Sequence, residues 1–114
     1  MTTTIAKVRG KSTNGDKLTV ITKVPIGNDP TGVGNRLVRV TVETDTHAPQ
    51  CHTNVEVLDP ATTKWNSLLW IQSGEMKSYW TYGMAQKPPP GAIDDDAQAA
   101  LDRGIALLAA TYGE

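Results

Sequence analysis

The sequence predicts an α+β fold: one antiparallel sheet of five to six strands, open or strongly curled, with a single C-terminal α-helix on one face. Three observations carry that expectation. Val38, Val40 and Val42 alternate with Arg39, Thr41 and Glu43, the period of a strand with one buried and one wet face. Asn14-Gly15 stands between two β-rich runs, where a hairpin turn belongs. Lys87-Pro88-Pro89-Pro90-Gly91 ends the strand-rich region, and Ala97, Leu101, Ile105, Leu108 and Tyr112 then recur at helical spacing.

The elements follow in order within one domain, residues 1–114: a strand-rich part over 1–86, a proline-rich linker over 87–93, and a helix over 94–112. Ile5 to Arg9 and Leu18 to Val24 read as the first two strands. A two-residue turn would set Val20 opposite Arg9 and Thr22 opposite Lys7. One extra residue, a bulge at Gly15 or Gly10, would bring Ala6 and Val8 onto the face of Val20, Thr22 and Val24. Burial of that face favours the bulged hairpin. Residues 25–35, with three glycines and two prolines, form a loop. Arg36 to Thr44 is the clearest strand, residues 45–50 are a polar turn, and Asn54 to Leu58 is the next strand. Asp59 to Trp65 turns the chain and Leu68 to Ile71 returns it; Tyr79 to Tyr82 supplies a last strand.

In the helix, Ala100, Gly104 and Leu107 widen the apolar stripe. Gly104 lowers helix stability by about 1 kcal/mol relative to Ala, so close approach of the helix to a strand is expected there. Asp94, Asp95 and Asp96 suit the positive end of the helix dipole, one of them as a cap, and Gly113 is a C-terminal stop.

The run Asp59-Pro60-Ala61-Thr62-Thr63-Lys64-Trp65 resembles the turn of kelch-type propeller blades. The likeness covers about a dozen residues and is not repeated, whereas a propeller needs several blades of about 50 residues each. It implies a hairpin geometry and nothing further.

Composition narrows the function classes. The 114 residues carry a formal net charge of −1, so no global field favours nucleic acid or an anionic membrane. Lys7, Arg9, Lys11, Lys17 and Lys23 outnumber Asp16 in the first 23 residues, a density that fits a solvated face better than a phosphate-binding one. The single cysteine, Cys51, excludes an intrachain disulfide and fits a reducing compartment. The first residues lack the apolar run of a signal peptide, and no stretch approaches the ~20 apolar residues of a membrane span. The expectation is a cytoplasmic protein.

Motifs for chemistry are sparse. Gly32-Val33-Gly34 feeds a strand and lacks the third glycine of a dinucleotide fingerprint. Gly10-Lys11-Ser12 resembles the end of a P-loop but sits in a hairpin, with Ile at position 5 where that motif has Gly. Ser73 lacks the Gly-x-Ser-x-Gly setting. Asp45, His47, Cys51 and His52 include zinc-ligand types, with Asp45 needed as the fourth ligand of a closed site. Neighbours in an extended chain, Cys51 and His52 point apart, and no third group orients His47 toward the thiol. The expectation is therefore no metal, no cofactor and no catalytic residue.

The aromatic distribution is the strongest functional feature. Phe is absent, and Trp65, Trp70, Tyr79, Trp80 and Tyr82 fall within 18 residues. An ~18-residue helix, ~27 Å long, can cover one face of a five-strand sheet ~24 Å across, and no more. Apolar residues of both parities near these rings then leave two outcomes: some rings face away from the helix, or the second half of the sheet wraps and buries them. Trp and Tyr are enriched at binding hot spots. The sequence thus predicts a small non-enzymatic protein-binding module with Trp65, Trp70, Tyr79, Trp80 and Tyr82 as its partner-binding patch. Asn28, Asp29, Thr31 and Asn35 are candidates for a recognition loop. The partner is another protein or a second copy in a homodimer. In size and plainness the chain is similar to accessory proteins of phages and mobile elements that inhibit host enzymes, a likeness of style without a shared motif. Two alternatives come from other classes: nucleic-acid binding through Lys7, Arg9, Lys11 and Lys17 of the N-terminal hairpin, and a zinc- or thiol-dependent enzyme using His47, Cys51 and His52.

Overall fold

Val38, Val40 and Val42 are fully buried, and the fold is arranged around them. The computed structural model describes residues 3–12, 15–27, 34–44, 52–72, 75–76 and 91–112. Among these are five strands: β1 (Thr3–Lys11), β2 (Asp16–Pro25), β3 (Asn35–Glu43), β4 (His52–Asp59) and β5 (Lys64–Gln72), followed by one helix, α1 (Ala92–Tyr112). The strands pair antiparallel in chain order, β1-β2-β3-β4-β5, and the sheet does not close. The result is an α+β meander. The strand expected at Tyr79 to Tyr82 lies outside the described residues.

Register follows from burial where the helix lies. Val40 of β3 stands opposite Val20 of β2 and Val55 of β4. Leu18, Thr22 and Val24 of β2 and Thr53 and Val55 of β4 are buried on the same face. A one-residue slip of β3 would turn its valines to water, which explains why the central three strands pair without a bulge. Ala97, Ala100, Leu101 and Leu108 of α1 close this core, with Ile93 and Ile105 at its margin. Leu107, expected to widen the stripe, is 40% exposed.

Gly104 is the point of closest approach. A Cβ there would stand 2.9 Å from Val55 Cγ1 and 3.6 Å from Leu68 Cδ2. The local cost of glycine in a helix is thus offset by seating α1 directly on β4. A bulge in β5 between Ser67 and Leu69 accommodates Leu68 and brings it toward the helix.

The return into β5 is tighter than expected. The strand resumes at Lys64, which pairs with Asp59. The Asp59 carboxylate accepts from the Ala61 N–H at 2.9 Å, and the Asp59 carbonyl accepts from the Thr63 N–H at 2.8 Å. Thr63 completes the turn with φ 58°.

The first hairpin corrects the expected register. Its irregularity falls at Ile5, not at Gly10 or Gly15, and Lys7 and Arg9 stand opposite Val20 and Leu18. Ala6 and Val8 therefore share the face of Ile21 and Thr19, and Val8 is 61% exposed. The physical reason is position. α1 packs on β2 to β5, so burial has little hold on β1. Charge and turn geometry decide instead. The Asp94 carboxylate takes Arg9 Nη2 at 2.6 Å and Lys7 Nζ at 2.9 Å. The Ser12–Gly15 turn is tied to the end of β3: Ser12 Oγ donates to the Thr44 carbonyl at 2.8 Å, and Asp16 N–H donates to Thr44 Oγ1 at 2.9 Å. A Cβ on Gly15 would overlap that same Thr44 carbonyl.

The helix also begins earlier than the aspartates suggest, at Ala92, with the Asp95 N–H donating to the Gly91 carbonyl at 2.8 Å. Asp94 thus lies inside the first turn and pairs with β1.

Two outcomes follow. Gly104→Ala should lower stability by about 1–2 kcal/mol, although Ala is the better helix former by roughly 1 kcal/mol, because the added methyl meets stiff, buried Val55. Val55→Ala in the same chain should remove most of that increment; denaturant unfolding of the four forms measures it. Asp94 is held below its ordinary carboxyl value of 3.8, first by the hydrogen bond from Arg9 and then by that from Lys7. Its native value lies below its unfolded value, so its contribution is complete above the ordinary value and is lost as pH falls through the native one. Asp94→Asn should cost about 1 kcal/mol at neutral pH, less in high salt, and should flatten that acid limb of the stability–pH profile.

Candidate functional site

The face opposite α1 is built from the alternate residues of every strand. Its composition can be read as cross-strand rows. Val8, Thr19, Thr41, Asn54 and Trp70 stand side by side across β1 to β5. Toward one strand end the next row is Gly10, Lys17, Glu43, His52 and Gln72. Toward the other it is Ala6, Ile21, Arg39, Glu56 and Ser67. The middle row is uncharged, with an apolar group at each end. The flanking rows carry the ions.

The ions are organised. Arg39 Nε donates to Glu56 Oε1 at 2.9 Å, and Arg39 Nη2 reaches the same oxygen at 2.8 Å. The Arg39 guanidinium also lies 4.4 Å over the centroid of the Trp65 ring, a cation–π contact that fixes both side chains. In the opposite row, Glu43 has Lys17 Nζ at 3.6 Å and His52 Nε2 at 3.7 Å. His52 stacks on Trp70 with centroids 4.6 Å apart and planes 12° from parallel. Supported from one side in this way, Trp70 remains 55% exposed.

Of the expected patch, Trp65 and Trp70 both lie on β5 and both face away from the helix. Their environments differ: Trp65 is half-buried under Arg39, and Trp70 is exposed. Tyr79, Trp80 and Tyr82 lie outside the described residues. So do Asn28, Asp29 and Thr31 of the candidate recognition loop; Asn35 is the first residue of β3, opposite Pro25. Of the zinc candidates, Asp45, His47 and Cys51 lie outside the described residues, and His52 is stacked on Trp70. Among the described residues no group of three His, Cys, Asp or Glu side chains gathers to hold a metal ion.

The sequence places Arg39, Thr41 and Glu43 on this face but gives no signal for Glu56 or His52. Arg39 is recognisable as wet-face from its alternation with the valines. Its partner on β4 and its ring on β5 become visible only once the register is known.

The basic residues of the first hairpin meet carboxylates: Lys7 and Arg9 meet Asp94, Lys11 meets Asp16 at 2.8 Å, and Lys17 meets Glu43. Among the described residues no helix is long and apolar enough to cross a membrane. No family model, curated protein or solved structure matches the chain.

Proposed function

We propose that this chain is a small non-enzymatic binding module that recognises a protein surface, another protein or a second copy, through the open face of its sheet. The observation that carries the reading is Trp70: an indole more than half exposed, held in one orientation by a stacked imidazole, in an uncharged row. Covering the exposed half removes on the order of 100 Å² from water, worth about 2.5 kcal/mol. Little rotamer freedom remains to be lost, because His52 already orients the ring. The flanking ions supply a polar rim of the kind that surrounds such an anchor.

The carboxylates beside Lys7, Arg9, Lys11 and Lys17 offset their positive charge locally, which favours this reading over a phosphate-binding hairpin. The single cysteine suits action in a reducing compartment, the cytoplasm.

The test is direct binding by wild-type protein and by Trp70→Ala, with folding checked by circular dichroism. Candidate partners come from host lysate and are re-measured as purified proteins; self-association is measured in the same series. A protein partner, or the chain itself, that binds Trp70→Ala at least about tenfold more weakly supports the module. Equal binding by the two forms, or no protein interaction of either kind, contradicts it.

A further inference from the structure

The charge pattern of the open face selects one occupant. We propose that this face binds a second copy of the same chain, face to face, about a two-fold axis that runs along the Val8–Thr19–Thr41–Asn54–Trp70 row. The inference rests on the binding-face reading above and names its partner.

A two-fold axis lying in the interface along that row superposes each strand on its own copy and exchanges the two flanking rows. Glu43 of one copy then faces Arg39 of the other, and His52 faces Glu56, each pair occurring twice. Trp70 faces Trp70 across the axis. The other simple axis, parallel to β3 and over it, would set Arg39 against Arg39 and Glu43 against Glu43. Like charges at close range in an interface disfavour that arrangement. The self-complementarity is thus specific to one symmetry operator, as an isologous contact requires.

Area and spacing are adequate. Five strands of about nine residues present a face of roughly 700 Å², so two copies would bury about 1,400 Å², within the range of stable pairs. Stacked sheets lie about 10 Å apart, a gap that Glu and Arg side chains reaching from both sides can span. Trp70 fills the same gap without a charge to desolvate. The uncharged row lies along the axis, so no charge meets its own copy there, and the ionic rows that exchange partners flank it.

The experiment measures mass by sedimentation equilibrium over a concentration series. Wild-type protein should dimerise, and Trp70→Ala should weaken association at least about tenfold. Glu43→Arg and Arg39→Glu, each alone, would place like charges opposite one another and should each be monomeric. Mixed together, the two variants should form a one-to-one heterodimer, because each then presents the charge that the other lacks. Should Arg39→Glu fail to fold once its contacts with Glu56 and Trp65 are lost, the Trp70 and Glu43 variants still decide the matter. Wild-type protein that stays monomeric overturns the dimer, as does a dimer indifferent to all three changes. If that monomer still captures another protein through Trp70, the binding-face reading survives; if it captures nothing, both fall.

Discussion

A β-layer has two faces, and α1 covers one. That shortage organises the rest of the molecule. The helix seats on β4 at Gly104, where an added methyl would press on Val55, and from there its apolar stripe closes over Val38, Val40 and Val42. Once β3 is committed to that side, antiparallel pairing commits every neighbour. Leu18 and Val55 go in; Arg39, Glu56 and Trp70 go out. The exposed indole is therefore a consequence of the core, reached through register.

Charge finishes what burial leaves open. In the middle of the sheet a slip would expose valines, so sterics and hydration fix the pairing. At β1 there is little to bury, and Ile5 and Val8 are exposed. The first strand is instead held by its tether to Thr44 and by Asp94 in the first turn of α1. Cations on an edge strand also discourage indiscriminate strand addition. On the open face, polar side chains orient both indoles: Arg39 lies between Glu56 and Trp65, and His52 between Glu43 and Trp70. A side chain already immobilised loses less freedom when a partner arrives.

Much of this was legible in the sequence, for reasons that also mark the limits. The alternation in 38–43 and the helical stripe after the prolines are periodic signals, and both elements formed where the period placed them. The close approach at Gly104 was legible because a glycine that weakens a helix calls for a packing reason. The hairpin at Asn14-Gly15 is legible, but its register is not: burial has little hold on a strand that the helix barely reaches, and the decisive partner, Asp94, lies 85 residues from Arg9. The open face was foreseen in outline through the count of faces against helices. Its contacts are not legible, since the Arg39–Trp65 and His52–Trp70 pairs join strands through pairings that no local pattern encodes. His52 drew notice as a metal-ligand type, and its neighbour proved to be an indole ring.

Neighbouring residues of β3 live in opposite environments, and the core, the register and the open face all depend on that. Equilibrium unfolding of Val40→Asn and Thr41→Asn measures this most directly, since the same side chain is placed one residue apart. Val40 has no exposed surface, so the amide there would be buried against the helix and should cost about 3 kcal/mol or more. At Thr41, on the other face, the cost should stay within about 1 kcal/mol. The comparison is made at concentrations where the chain is monomeric; equal losses at the two positions there would mean that both faces of the single sheet are closed to water, and would contradict this claim.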